Sequence, residues 1–363
     1  MNAHSWAAAG TYAATFAISG VVAAFCTPLI VRLATHLGVM GNIAEEEYRH
    51  MHEVPTPRTG GIALFFGFAV ALFAVLGFAL ASPYSLLPSV LGTHAQKIEI
   101  LTDRFETVHQ LVGLLFGSLL ILGVGIWDDV MGMRPRSKLL AQIIVALASM
   151  LYGFVIPGIT NPFDHNPATN WIEFPTWVGI VLTVLWYVGI MNAINFLDGL
   201  DGLLTGVAAI ASIFLFVISV VHDNPVVALV VIALAGSALG FLPYNFNPAR
   251  IFLGDAGSLF IGYVFATVSI LGASKTAIAV SLIVPVLVLA LPILDTAAVI
   301  VRRASAGKKI TEGDRGHFHH QLIFRFGLNV RQAVFFIYAV CFVLGAMALA
   351  LSGEFTHVFR HAS

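Results

Sequence analysis

The sequence Asn192-Ala-Ile-Asn-Phe-Leu-Asp-Gly-Leu-Asp-Gly202 lies between two apolar runs, 177–191 and 203–221. These runs belong to stretches long enough to cross a bilayer. Two amides and two carboxylates at a membrane boundary are costly to desolvate unless they line a wet cavity or bind a ligand. A tight loop is the simpler alternative, because Asp-Gly is a common turn pair and Asn often caps a helix. A turn needs one Asp-Gly and this segment has two, which favours a functional site.

The composition of the chain is that of an integral membrane protein. Of its 363 residues, 58% are hydrophobic and only 10% are charged, and the mean hydropathy is +0.91. A soluble domain carries about 25% charged residues. The net charge of −1 argues against nucleic acid as a partner. No repeat or shift in composition divides the chain, so we expect residues 1–363 to form a single membrane-embedded domain.

The hydrophobic pattern predicts an all-α, polytopic membrane protein with about ten transmembrane helices. Each predicted span has about the 17–25 residues that a bilayer requires. The windows are 10–34, 60–81, 108–127, 138–157, 175–193, 202–221, 226–243, 256–273, 276–301 and 331–352.

The basic residues predict the orientation of these helices. If the N-terminus lies outside, 14 of the 18 Lys and Arg residues fall on the cytoplasmic side, leaving Lys97, Arg104, Lys275 and Arg360 outside. Loops on the cytoplasmic side of membrane proteins are enriched in Lys and Arg. We therefore expect both termini on the extracytoplasmic side.

Asp128 and Asp129 are adjacent carboxylates at the predicted cytoplasmic end of a helix. Adjacent carboxylates repel each other, and the helix dipole at this end disfavours negative charge. The pair therefore indicates a divalent metal or a catalytic base. A cap, or a salt bridge with Arg134 or Arg136, is the alternative interpretation.

Two further segments on the same side carry candidate ligands for phosphate or metal. Gly254-Asp-Ala-Gly-Ser258 opens an apolar helix. Asp255 is compatible with a simple N-cap, or with a carboxylate ligand of Mg²⁺ beside a helix N-terminus that favours phosphate oxygens. Pro55-Thr-Pro-Arg-Thr-Gly-Gly61 is either a rigid entry into the next helix or a place where the backbone approaches a ligand.

The last predicted inner loop holds three histidines in four residues, His317, His319 and His320. Zinc is disfavoured because no cysteine or further histidine accompanies them at zinc-like spacing. Histidines beside Arg and Lys can hydrogen-bond phosphate and exchange protons near neutral pH. A solvated loop with incidental histidines remains the alternative.

These polar motifs share one side of the membrane under a topology derived only from basic residues. Carboxylates, amides, histidines and a lysine around a metal are the groups that phosphoryl transfer requires. A transporter is the alternative from another class, but transporters place their coupling carboxylates near the membrane midplane.

The motifs resemble those of the polyprenyl-phosphate N-acetylhexosamine-1-phosphate transferases, a superfamily that includes WecA, TagO and MraY. The resemblance covers nearly the whole chain. It rests on Pro-Thr-Pro-Arg-x-Gly-Gly, Asp-Asp-x-x-Gly, Lys-Leu-Leu-x-Gln, Asn-x-x-Asn-x-x-Asp-Gly-x-Asp-Gly, Gly-Asp-x-Gly-Ser and His-x-His-His. His-Phe-His-His with Pro-Thr-Pro-Arg resembles the WecA/TagO branch.

The resemblance implies roles for individual residues. Asp255 is expected to be the principal metal ligand, with Asn195 close to the metal. Asp128 is expected to deprotonate the lipid phosphate, with Asp129 organising charge beside it. The remaining catalytic candidates are His317, His319 and His320. The candidates for substrate binding are Lys138 at the diphosphate, Asp201 at the uracil, and Asn192, Asp198, Arg58 and Arg302.

The resemblance also implies the reaction and its partners. We expect transfer of N-acetylhexosamine 1-phosphate, with GlcNAc favoured, from a UDP-sugar to polyprenyl (undecaprenyl) phosphate, with release of UMP and a requirement for Mg²⁺ or Mn²⁺. Such a step begins cell-envelope glycan synthesis at the bacterial inner membrane. A phospho-MurNAc-pentapeptide transferase is the alternative within the superfamily. A covalent intermediate on Asp128 is the alternative to direct attack, and homodimerisation is left open.

Overall fold

The computed structural model describes residues 3–39, 56–81, 97–160, 171–273, 294, 298, 305 and 318–360. Ten helices and two short strands lie in these ranges. The helices are α1 (Ala3–Leu37), α2 (Gly60–Ala81), α3 (Lys97–Met131), α4 (Pro135–Met150), α5 (Thr176–Leu197), α6 (Leu203–Val221), α7 (Pro225–Asn245), α8 (Gly254–Ala273), α9 (Phe318–Phe324) and α10 (Val330–Arg360).

Eight of the described helices are long and apolar enough to cross a membrane, namely α1, α2, α3, α5, α6, α7, α8 and α10. The chain is therefore a mostly helical, polytopic membrane protein. The predicted span 276–301 lies outside the described residues, apart from residues 294 and 298. The total of ten spans and the orientation of the termini stay predictions.

Helix α8 lies at the centre of the described bundle. It packs against α2, α3 and α5, while α1 packs against α2 and α7, and α6 against α7 and α10. Nearly all of its side chains are buried, including Phe260 and Tyr263, whereas α1 and α10 expose large apolar side chains such as Phe25 and Phe342. An apolar exterior suits helices that face lipid. The central position of α8 holds its N-terminus, with Asp255, in the middle of one end of the bundle.

Helix α4 ends earlier than the window 138–157 predicts. It has 16 residues and stops at Met150, and the chain then turns through Gly153, whose φ is +85°. Glycine adopts this left-handed conformation without the steric penalty of a side chain. The helix ends because the backbone reverses there, although the apolar composition continues to Ile156.

A small hairpin departs from the predicted all-α class. Strand β1 (Gly158–Thr160) pairs antiparallel with β2 (Trp171–Glu173) in the register Gly158 to Glu173 and Thr160 to Trp171. The pairs form because Ile159, Thr160 and Ile172 are β-branched residues that favour strands. The predicted windows 138–157 and 175–193 left residues 158–174 as a connection without secondary structure.

Candidate active site

Four polar side chains from four helices meet at one end of the bundle. Asp128 lies in the last turn of α3, Lys138 in the first turn of α4, Asn195 in the last turn of α5 and Asp255 in the first turn of α8. Because α3 and α5 end at the same face where α4 and α8 begin, residues far apart in sequence become neighbours. We call Asp128, Lys138, Asn195 and Asp255 the four-helix polar cluster.

Lys138 joins the two carboxylates of this cluster. Its Nζ lies 2.9 Å from Asp128 Oδ2 and 3.0 Å from Asp255 Oδ1. The side chains of Lys138, Asp128 and Asp255 are 16%, 10% and 32% exposed. Limited solvent contact makes such ion pairs stronger than pairs on an open surface. One ammonium between two carboxylates leaves an excess negative charge.

Asn195 fixes the orientation of the Asp255 side chain. Its Nδ2 donates to Asp255 Oδ1 and to Ser258 Oγ at 2.7 Å, while its Oδ1 lies 3.5 Å from Lys138 Nζ. The structure thus brings Asn195 against Asp255. Its role as a metal ligand stays a prediction.

Asp129 caps the helix that carries Asp255. Its two carboxylate oxygens accept the backbone N–H groups of Asp255 at 2.8 Å and of Ala256 at 2.9 Å. Those N–H groups have no partner within their own helix, and Asp129 satisfies both. The sequence alone left open that they bind a phosphate, but in this structure they are engaged with Asp129. Its predicted part in catalysis stays a prediction.

A second structural element supports the start of α8. The segment 57–61 runs beside residues 252–253, joined by backbone hydrogen bonds of 2.8–3.0 Å. At Gly254 the φ is +74°, and an added Cβ would overlap the carbonyl oxygen of Arg58. The backbone of Arg58 therefore lies against the start of α8. Binding of substrate by Arg58 stays a prediction.

Small residues let the neighbouring helices close around this helix end. A Cβ at Gly61 would overlap the backbone of Gly257, and a Cβ at Gly125 would overlap the backbone of Ala256. Helices approach this closely only where a side chain is missing. The glycines therefore allow α2 and α3 to hold the N-terminus of α8 directly.

A second pair of amides lies one helical turn from the polar cluster. Asn192 Nδ2 donates to Gln142 Oε1 at 2.7 Å and to the carbonyl oxygen of Val188 at 2.8 Å. The sequence reasoning placed Gln142 in a motif but gave it no role, and assigned Asn192 to substrate binding. The spacing of four residues places Lys138 and Gln142 on one face of α4, and the spacing of three places Asn192 and Asn195 on one face of α5. This spacing was the signal by which the sequence could have indicated Gln142.

The second half of the opening stretch forms a turn. Asp198 is the C-cap residue of α5, and its backbone N–H donates to the carbonyl oxygen of Asn195. Asp201 Oδ2 accepts hydrogen bonds from Asn247 Nδ2 at 3.0 Å and from the N–H of Ala249 at 3.1 Å. Asp201 is only 6% exposed. It therefore ties the turn before α6 to the loop before α8. Roles for Asp198 and Asp201 at a nucleotide stay predictions.

The remaining candidates lie partly or wholly outside the described residues. His317 and Arg302 lie outside the described residues. His319 and His320 belong to the first turn of α9, but their side chains fall outside the described part of the chain.

The donor chemistry of the cluster fits a hard divalent cation. Asp128 Oδ2 and Asp255 Oδ1 both lie within 3.0 Å of the same ammonium, so one cation could be shared between them. All donors are oxygens, which suits Mg²⁺ or Mn²⁺ better than zinc. Among the described residues, no three His, Cys, Asp or Glu side chains form a metal-binding group. Mg²⁺ is commonly held by one or two carboxylates and completed by substrate phosphates.

Comparison with known proteins identifies the family. The model of glycosyl transferase family 4 matches residues 111–273, the region that contains the whole polar cluster. A probable undecaprenyl-phosphate N-acetylglucosaminyl 1-phosphate transferase of Bacillus subtilis is 32% identical over 341 residues, which are 93% of this chain and 84% of the relative. The chain belongs to glycosyl transferase family 4.

Other relatives represent two activities of this family. A decaprenyl-phosphate N-acetylglucosaminephosphotransferase of Mycobacterium tuberculosis is 31% identical over 92% of this chain and 82% of its own length. A phospho-N-acetylmuramoyl-pentapeptide-transferase of Staphylococcus epidermidis is 30% identical over 67% of this chain and 71% of its own length. The resemblance to sugar-phosphate transferases seen in the motifs is thereby confirmed.

Proposed function

We propose that this family 4 member transfers N-acetylglucosamine 1-phosphate from UDP-N-acetylglucosamine to a polyprenyl phosphate and releases UMP. The observation that carries the proposal is the Lys138 ammonium held between Asp128 and Asp255 at one end of a membrane bundle. The ammonium can face a diphosphate that reacts at the membrane surface once a divalent cation balances the excess carboxylate charge. The names of the relatives from B. subtilis and M. tuberculosis supply the substrates.

The reaction replaces one phosphoanhydride bond with another. An oxygen of the lipid phosphate attacks the β-phosphorus of the UDP-sugar, forming a new P–O bond. The P–O bond between this phosphorus and the bridging oxygen breaks, and the electron pair leaves with UMP. Lys138 neutralises charge on the diphosphate, and Asp128 takes a proton from any lipid phosphate that arrives protonated.

The excess negative charge of the cluster explains why a metal is part of the proposal. Two carboxylates and one ammonium would repel a diphosphate. Asp255, with Asp128 and Asn195 beside it, would hold Mg²⁺ or Mn²⁺. When bound, such an ion supplies charge neutralisation and orientation at the phosphate oxygens.

Direct attack by the lipid is preferred over a covalent intermediate on Asp128. Asp128 Oδ1 accepts the N–H of Met133 at 2.7 Å, and Oδ2 binds Lys138 at 2.9 Å. Both oxygens are engaged, and the side chain is 10% exposed. A carboxylate held in this way has to give up one of these contacts before an oxygen can attack phosphorus, and an oxygen of the lipid phosphate does not.

The proposal places the polar cluster at the cytoplasmic face of the bacterial inner membrane. This orientation follows from the excess of Lys and Arg on that side. It puts both chain termini outside and gives the cluster access to soluble UDP-sugars. Asp201, Arg58, Arg302 and the three histidines remain proposed contacts of the substrate.

Transfer of phospho-MurNAc-pentapeptide is the second candidate. The S. epidermidis relative carries that name and is 30% identical, against 32% for the B. subtilis relative. The motif His-Phe-His-His with Pro-Thr-Pro-Arg, which resembles the WecA/TagO branch, favours GlcNAc.

The two candidates differ in the donor that the purified protein uses. We expect UMP and a lipid product from UDP-GlcNAc with undecaprenyl phosphate and Mg²⁺, and neither product after addition of a chelator. UMP from UDP-MurNAc-pentapeptide alone would favour the second candidate. Absence of UMP from every UDP-HexNAc tested would refute the proposed reaction.

A further inference from the structure

The pair Gln142–Asn192 lies directly behind the polar cluster on the same two helices. Gln142 follows Lys138 by four residues on α4, and Asn192 precedes Asn195 by three residues on α5. Residues at these spacings share one face of a helix. The hydrogen bond between Asn192 Nδ2 and Gln142 Oε1 is 2.7 Å long. It therefore joins the two helices one turn away from the Lys138–Asn195 contact.

The Gln142–Asn192 contact is the short polar link between α4 and α5. Helix α4 packs on α3 and α5, and its opposite side exposes Leu139, Leu140, Ile144 and Leu147. Apolar packing against lipid does not fix the rotation of a helix about its axis. The direct contact between Lys138 and Asn195 is long, at 3.5 Å. The shorter Gln142–Asn192 bond is thus the firmer polar connection between α4 and α5.

The Gln142–Asn192 pair leaves a polar group unsatisfied, so it is not the arrangement that gives the greatest stability. Gln142 is fully buried, and its Nε2 has no hydrogen-bond partner within the described residues. An unpaired buried N–H destabilises a fold. A leucine of similar volume would remove this penalty. A buried amide at position 142 is therefore better explained by an effect on the position of Lys138.

We propose that Gln142 and Asn192 are positioning residues that hold α4 in the rotation placing Lys138 Nζ between Asp128 and Asp255. The inference rests on the proposed function, in which that ammonium faces the reacting diphosphate. A small rotation of α4 moves the ammonium away from the charge that develops in the transition state. Misplacement by about 1 Å is enough to reduce a rate by about 100-fold.

The test compares Q142L with a matched variant on the same helix. Ser149 Oγ and Tyr263 OH form a buried hydrogen bond of 2.9 Å between α4 and α8, eleven residues along α4 from Lys138. S149A removes a buried polar contact of α4 without touching the cluster. For each variant, kcat, KM for UDP-GlcNAc and the midpoint of thermal unfolding are measured.

We expect Q142L to lower kcat by about 10- to 100-fold with KM nearly unchanged, while the unfolding midpoint stays the same or rises. S149A should show the opposite pattern, with a lower midpoint and normal kcat. N192L should resemble Q142L in kcat, and the double variant should be no slower than either one, because both remove the same contact. If Q142L does not fold, Q142M repeats the test with a flexible apolar chain.

A second readout does not require activity. Labelling of the Lys138 amine by an acylating reagent, quantified by mass spectrometry, should increase in Q142L because the ammonium leaves its two carboxylates. Wild-type kcat in Q142L, unchanged labelling, or a fall in kcat that only accompanies a lower unfolding midpoint would overturn the inference. A wild-type protein without UMP release would refute the proposed function instead, and the labelling result would then decide the inference by itself.

Discussion

The carboxylate of Asp129 accepts the backbone N–H of Asp255 at 2.8 Å, so the residue beside Asp128 fixes the start of the helix that carries Asp255. The two aspartates are 126 positions apart. One acidic pair on α3 thus serves two purposes. Asp128 binds the ammonium of Lys138, while Asp129 holds the backbone from which Asp255 projects.

Replacing Asp129 with alanine should destabilise the protein and reduce activity together. The N–H groups of Asp255 and Ala256 would lose their acceptors, at about 1–3 kcal/mol. D129N keeps one side-chain oxygen and should lie between the wild type and D129A. Thermal unfolding in detergent measures the effect. Equal midpoints for all three proteins would show that the cap does not support the helix.

Replacing Asp255 with asparagine should separate activity from stability. The cap by Asp129 binds the backbone of residue 255 and survives the change, so the unfolding midpoint should move little. The charge that faces Lys138 is lost, and we expect kcat to fall by about 100-fold or more. Rates of UMP release provide the measurement. Near-normal turnover by D255N would remove Asp255 from the site.

Two glycines on α3 provide a matched test of the close helix contact. G125A places a Cβ against the backbone of Ala256, whereas Gly123 has nothing within 4 Å of the added atom. We expect G125A to destabilise the protein by about 1–3 kcal/mol. G123A should be neutral or slightly stabilising, because alanine is the better helix former. Thermal unfolding of both variants checks the difference, and equal effects would contradict it.

Because both carboxylate oxygens of Asp128 already have partners, we expect no attack by Asp128 on the UDP-sugar. UMP release should therefore require the lipid. Direct attack leaves the UDP-sugar intact until a polyprenyl phosphate is present. Rapid-quench experiments without lipid should therefore show no burst of UMP and no sugar phosphate attached to the protein. A burst of about one UMP per enzyme, with labelled Asp128, would establish the two-step route instead.

Much of the fold could be predicted because hydrophobic length determines a membrane helix. The window 60–81 coincides with α2, and 202–221 differs from α6 by one residue. The end of α4 was placed too late, since Gly153 turns the backbone while the composition remains apolar. The short hairpin of Gly158–Thr160 and Trp171–Glu173 was missed because three-residue strands leave little pattern.

The site was less predictable because its contacts join distant positions. The motifs and the family resemblance indicated Asp128, Lys138, Asn195 and Asp255 among the site residues, and the structure brings these four together. A cap was the alternative interpretation of the Asp128–Asp129 pair, but the sequence did not indicate that Asp129 caps the distant helix α8. The position of Asp201 against Asn247 and Ala249 likewise depends on how two loops meet.

The most direct test of the central claim is to identify which bond of the sugar nucleotide breaks. The protein is given UDP-GlcNAc labelled in the β-phosphate, together with undecaprenyl phosphate and Mg²⁺. Transfer of sugar phosphate at the Lys138 cluster predicts that the label enters the lipid product and that the nucleotide released is unlabelled UMP. Release of labelled UDP, with a lipid product that lacks the label, would show transfer of the sugar alone and would contradict the account.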